Sequence, residues 1–199
     1  MLRIEHPHPG VRMIGLDRAA KRNAIGVEMT LALRDALWDL RCDANIRAVV
    51  VHGIGGHFSA GMDLKDFFDH SSRDAHALRE ARAATEEWRC HLIRELPQPL
   101  FVSIEGYCLG GALPIVAHAR RVVAHPDAKF GLPELNFGFV PGGQIIKSVG
   151  LVAPAKALSY MALTAKLVDA DQARRWGLVS EVNANPLAQA LAWAREAVG

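Results

Sequence analysis

Two short glycine-bearing loops constrain this chain more than any other feature. His57-Phe58-Ser59-Ala60-Gly61-Met62-Asp63-Leu64 follows the apolar run 47–53, and Gly106-Tyr107-Cys108-Leu109-Gly110-Gly111-Ala112-Leu113 follows the apolar run 100–106. Short continuous runs bounded by glycine predict strands buried on both faces. Glycine lets main chain approach another group closely, and a helix start leaves N–H donors unpaired with partial positive charge. Two such loops can aim bare N–H groups at one point and so form an anion site. Taken alone, Gly110-Gly111 could instead serve tight helix packing, the weaker of the two readings.

Around the loops, strands and helices alternate. Residues 2–5 and 11–16 flank His6-Pro7-His8-Pro9-Gly10, a turn signal that predicts a hairpin. Met29, Leu33, Ala36, Leu37 and Leu40 recur at three-to-four spacing, which predicts an amphipathic helix over 28–42. Residues 64–96 are charge-rich and helical in character until Pro97 and Pro99 stop them. The Gly110-Gly111 pair opens a helix to about His118, and 121–124 can form another strand. A loop follows through Phe130-Gly131-Leu132-Pro133-Glu134, then helices over 154–164, 169–176 and 187–198. This alternation predicts an α/β fold, read as one domain over 1–199 without internal repeat or linker.

Charge and cysteine content remove several function classes. Lys plus Arg number 23 against 21 Asp plus Glu, a net charge of +2, too small to suggest a nucleic-acid surface. Cys42, Cys90 and Cys108 form no CxxC pair, so a reducing cytoplasm is expected and neither zinc nor a redox motif is implied. The N-terminus lacks a signal pattern, and no stretch approaches the roughly 18–20 apolar residues needed to span a bilayer. Ser59 precedes Gly61, but His57 stands where a nucleophile elbow requires glycine, which argues against a serine hydrolase. Gly53, Gly55 and Gly56 lack dinucleotide-loop spacing. His6, His8, His52 and His57 lack metal-ligand spacing with a carboxylate partner, so no metal is expected.

An ordered set of motifs carries a resemblance over almost the whole chain. Leu16-Asp17-Arg18 with Lys21-Arg22-Asn23-Ala24 comes first, followed by the two glycine loops, Phe130-Gly131-Leu132-Pro133-Glu134 and Pro141-Gly142-Gly143. The segment from Ala170-Asp171-Gln172-Ala173 to Gly177-Leu178-Val179 adds a sixth piece. Together they closely resemble the enoyl-CoA hydratase/isomerase (crotonase) superfamily. The resemblance implies a spiral of stacked ββα units and an acyl-CoA thioester as substrate, with coenzyme A entering only as part of that thioester. It implies an oxyanion hole made by the N–H groups of Met62 and Gly111, with Glu134 as catalytic acid/base in a desolvated loop that raises its pKa. Substrate contacts are expected from Lys21, Arg22, Ser59, Ala60, Gly61, Asp63, Leu64 and Gly110, with Lys21 and Arg22 near the nucleotide. A homo-oligomer of three or six chains is the family expectation.

Two departures matter. Typical hydratases of the superfamily carry a second glutamate three residues after the oxyanion glycine, where this chain has Pro114. Hydration must activate water at C3 and deliver a proton to C2, a task easily shared by two carboxylates. Moving a double bond needs one base that takes a proton from C2 and returns it at C4. Glu134 alone suits the second task, with His118 one turn after Pro114 a conceivable substitute for the missing acid. Asp66 and Asp69 read as surface charge. Members also usually continue for some 60 residues beyond the equivalent of Gly199, so a compact variant or a truncation is expected. The resemblance thus implies an acyl-CoA enzyme acting through a thioester enolate. Its rivals are a catalytically silent acyl-CoA-binding or partner-binding protein, and an acyl-CoA hydrolase or decarboxylase on the same scaffold.

Overall fold

Apolar periodicity accounts for most of the elements in the computed structural model, which describes residues 1–68 and 75–199. In chain order these are β1 (Leu2–His8), β2 (Val11–Leu16), α1 (Val27–Cys42), β3 (Ala48–Gly53), α2 (Leu64–Phe68), α3 (Ala75–Glu87), β4 (Leu100–Ile104), β5 (Tyr107–Leu109) and α4 (Leu113–Ala117). There follow β6 (Arg121–Ala124), β7 (Lys129–Gly131), α5 (Gly143–Val149), α6 (Ala155–Thr164), β8 (Val168–Asp169), α7 (Ala170–Arg175), β9 (Glu181–Val182) and α8 (Pro186–Val198). A π-helical turn, Trp88–Leu92, continues α3, and 3₁₀ turns follow β2 at Ala19–Lys21, open α4 at Gly110–Ala112 and follow β7 at Pro133–Phe137.

The six-stranded sheet has the order β1-β2-β3-β4-β6-β9, antiparallel only between β1 and β2. A second sheet, β5-β7-β8, stands on the continuation of β4 beyond Gly106. The hairpin forms as expected, but β1 runs on to His8. Its register shifts between Glu5 and His8, and an edge strand tolerates Pro7 there because a proline's missing N–H breaks no ladder bond on the open side.

Two apolar layers explain the buried strands. Val49 and Val51 face the larger core with Leu33, Leu37, Trp88 and Ile115, whereas Ala48 and Val50 face α8. With both faces covered, β3 reads as a continuous apolar run rather than an alternation. On the α8 side Trp193 is 3% exposed, lies 6.3 Å from the Phe101 ring, and carries the Arg121 guanidinium 3.7 Å above its centroid. Trp193→Ala should therefore cost about 3–5 kcal/mol of stability. Chemical denaturation measures this, and a loss under about 1 kcal/mol would mean that α8 is not a principal cover of the sheet.

Three expectations need correction. Residues 130–134 are not one loop, since Phe130 and Gly131 belong to β7, paired with β5, and Pro133-Glu134 open a 3₁₀ turn. The helical stretch 64–96 is divided into α2, α3 and the π-helical turn, with Asp69 outside the described residues. Asp66 is not surface charge: half-buried, its Oδ2 accepts a hydrogen bond from Val27 N–H at 2.9 Å and caps α1.

Candidate active site

Backbone pairing draws the two glycine loops together. Ser59 N–H donates to Tyr107 C=O at 2.8 Å, and Leu109 N–H to Ser59 C=O at 3.0 Å. On the other side, Ile25 N–H donates to Gly61 C=O at 2.8 Å and Asp63 N–H to Ile25 C=O at 3.0 Å. Met62 is skipped in this ladder, and its N–H finds no acceptor among the described residues. Gly111 lies in the first turn before α4, where N–H groups have no intrahelical acceptor.

Asn23 pins this arrangement from below. Fully buried with a φ of 54°, it donates through Nδ2 to Ile54 C=O at 2.9 Å and His57 C=O at 2.7 Å, while Oδ1 accepts from Arg18 N–H. Ser59, also fully buried, donates to Asn23 C=O at 2.8 Å and accepts from Gly61 N–H at 3.1 Å. His57 stacks on Tyr107 with ring centroids 5.0 Å apart, and its Nδ1 accepts from Tyr107 N–H.

Close approaches at three glycines define the centre. A Cβ on Gly61 would lie 2.7 Å from Leu109 C=O and 3.3 Å from Gly111 N. One on Gly111 would lie 2.6 Å from Met62 Cγ, and one on Gly110 would lie 2.7 Å from Glu134 Oε1. The bare main chain therefore lets the Glu134 carboxylate settle directly over the second loop. Ala60, Gly61, Met62, Leu64, Gly110, Gly111, Pro133 and Glu134 line one cleft of about 180 Å³, closed by Phe137, Phe139, Val140, Gly142 and Ile145. Burial pushes the half-buried Glu134 carboxyl above the usual carboxylate range, partly offset by its own N–H and by the Arg89 charge. Its Oε2 is buried without a hydrogen-bond partner. An apolar cleft lined by a carboxylate with one unpartnered oxygen and by two loops with free N–H groups can move a proton while stabilising developing negative charge.

Not every residue expected at the site lies on this cleft. Ser59 holds the loop from inside. Asp63 accepts a 2.8 Å ion pair from Arg18 and caps α2 through Asp66 N–H, so its side chain serves the scaffold rather than the cleft. Lys21 and Arg22 are exposed and do not line the cleft, with the Arg22 guanidinium 5.6 Å from the Tyr107 ring centroid and Arg22 C=O accepting from Ala60 N–H. Pro114 is buried in the first turn of α4. His118 bonds Ser148 Oγ at 3.3 Å and faces a different cavity, with Leu96, Pro97 and Arg120, so it does not stand in for a second acid. Cys108 is fully buried, and burial pushes its thiol well up, which leaves it inert. Sequence reasoning missed Arg89, whose Nη2 is 2.7 Å from Met62 Sδ, and the aromatic wall at Phe137 and Phe139. Among the described residues no group of three or more His, Cys, Asp or Glu could hold a metal, and no helix is long and apolar enough to cross a membrane.

Residues 7–198 match the family model described as enoyl-CoA hydratase/isomerase. Hydroxycinnamoyl-CoA hydratase-lyase of Pseudomonas fluorescens is 30% identical over 181 residues, covering 90% of this chain and 65% of the relative. Carnitinyl-CoA dehydratase of Salmonella enteritidis is 33% identical over 171 residues, covering 85% and 63%. The chain thus spans just under two thirds of the length of these curated relatives. Among solved structures, Pseudomonas aeruginosa AtuE superposes with a TM-score of 0.87 at 35% identity, covering 98% of this chain and 75% of that one. An enoyl-CoA hydratase from Mycobacterium smegmatis gives 0.89 at 27% identity, covering 99% and 76%. The α/β architecture is the crotonase fold, and the chain spans about three quarters of the length of these structures.

Proposed function

The chain belongs to the enoyl-CoA hydratase/isomerase family, and from that premise we propose that it acts on an acyl-CoA thioester through an enolate, with Glu134 as its one acid/base group. The observation that carries this reading is the convergence, in one cleft, of the free Met62 N–H, the first-turn Gly111 N–H and the Glu134 carboxylate over Gly110. Glu134 takes a proton from C2 of the acyl group. The electron pair moves toward the thioester oxygen, where the Met62 and Gly111 N–H groups donate to it. Each such donor lowers the barrier by about 3–4 kcal/mol in comparable oxyanion sites. Collapse of the enolate with the double bond moved, and return of the proton at C4 by Glu134, completes an isomerisation without a second acid.

Pro114 favours isomerisation over hydration within the family's range. A buried proline at that point offers no titratable group, and His118 is turned to Ser148. Purified protein assayed with 2-enoyl-CoA and 3-enoyl-CoA esters of several chain lengths, by mass spectrometry and ultraviolet absorbance, is expected to convert the 3-enoyl ester. Water addition to the 2-enoyl ester would overturn the isomerase assignment while keeping the enolate. Binding of both esters without any conversion would leave a silent acyl-CoA-binding protein.

A further inference from the structure

Among the described residues, Arg89 is a cation whose fork of donors meets no carboxylate within ion-pair distance. It sits on the π-helical turn that continues α3, a local irregularity often found where a side chain must be redirected into a site. Its Nη2 touches Met62 Sδ at 2.7 Å, and the same nitrogen would be 3.1 Å from a Cβ on Gly111. The guanidinium therefore stands beside both loops of the cleft. A thioether is only a weak acceptor. Nε is buried with no partner, and among the described residues no carboxylate lies within ion-pair distance of Arg89. The Arg89 guanidinium carbon lies 5.2 Å from the Trp88 ring centroid, a cation–π contact that uses none of the in-plane N–H groups.

The space around Arg89 adjoins the cleft. A cavity of about 220 Å³ lined by Arg82, Thr85, Arg89 and Cys90 shares Gly142 and Ile145 with the catalytic one. Glu86, the carboxylate on its wall, is exposed to solvent, and Glu134 acts on Arg89 only at longer range. Burial brings the Arg89 pKa down to about 10, so it remains a cation at neutral pH. A buried, unpaired charge is costly to keep, and the cost is offset when a ligand supplies the counter-charge.

We infer that Arg89 receives a carboxylate carried on the acyl group, so that the substrates are acyl-CoA esters with an acidic acyl chain rather than plain hydrocarbon ones. This rests on the acyl-CoA reading above. The carboxylate accepts from the guanidinium fork, replacing the weak thioether contact of Nη2, while the thioester oxygen meets the Met62 and Gly111 N–H groups.

Isothermal titration of the full chain tests this with coenzyme A and saturated acyl-CoA esters of about four to eight carbons, each length in a methyl-terminated and a carboxylate-terminated form. At the best length the carboxylate form should bind about 10- to 100-fold more tightly. Arg89→Met should bring that ratio to within about threefold of unity, and Arg89→Lys should retain part of it. Affinity for coenzyme A alone should be equal in all three proteins, and thermal unfolding verifies that the variants fold. Equal binding of both forms at every length, or a preference that survives in Arg89→Met, overturns the carboxylate assignment and leaves the acyl-CoA reading standing. Esters that bind no better than coenzyme A would overturn both.

Discussion

Glu134→Gln should lower turnover of an enoyl-CoA ester by about 10²–10⁴-fold, the usual contribution of a positioned acid/base group, while changing ester affinity little. Glutamine keeps the size of the side chain over Gly110 and removes only its ability to take a proton. The acid limb of kcat/KM should lie above the ordinary carboxylate value of 4.5, because burial raises this group's pKa. Stability follows with a definite sign. A carboxyl whose folded pKa is raised binds its proton more tightly in the native state, so its contribution is present at low pH and is lost as pH rises through the folded pKa. Glutamine has no such loss, and thermal unfolding at pH 5 and pH 8 should show the variant gaining on the parent at the higher pH. Undiminished turnover in Glu134→Gln would remove this carboxylate from the chemistry.

Gly110→Ala should be almost as damaging, by on the order of 10²-fold in kcat, through geometry rather than proton chemistry. The new methyl would lie 2.7 Å from Glu134 Oε1, so the carboxylate must move, and a φ of 50° strains any L-residue there. Gly56→Ala separates the two effects. Gly56 has a φ of 81° with nothing within 4 Å of the added methyl, so it suffers the backbone strain without the clash. Steady-state kinetics should find Gly56→Ala active and Gly110→Ala disabled. Equal losses in both would point to loop strain rather than displacement of Glu134.

The parts of this fold that could be read in advance are those whose signal is local. The β3 and β4 runs, the α1 stripe from Met29 to Leu40 and the glycines before α4 each announce themselves within a dozen residues. Strands β5, β7, β8 and β9 are two or three residues long and exist because a distant strand pairs with them, which no window along the chain contains. Helix α5 was missed for a related reason, since seven residues after Pro141-Gly142 hold too few turns to display a period. At the site, glycine spacing exposed the backbone geometry, but side-chain allegiance was hidden. Ser59 and Asp63 sit in the motif and yet bond inward, to Asn23 and Arg18. Arg89 is one arginine in a charge-rich helical stretch, and only the three-dimensional meeting with Gly111 and Met62 distinguishes it from its neighbours.

Helix α8 has a consequence for the order in which the chain matures. The face of the sheet formed by Val11, Met13, Ala48, Val50, Phe101 and Val123 is covered by Ala190, Trp193, Ala194 and Val198. Its strands are complete by Ala124, yet their cover is not synthesised until residues 186–198. At about 5–20 residues per second, a nascent chain carries this apolar surface uncovered for several seconds, and longer while the ribosome shields its last residues. Chaperone demand during synthesis should therefore centre on that face, and a chain released at residue 185 should aggregate rather than wait for a partner.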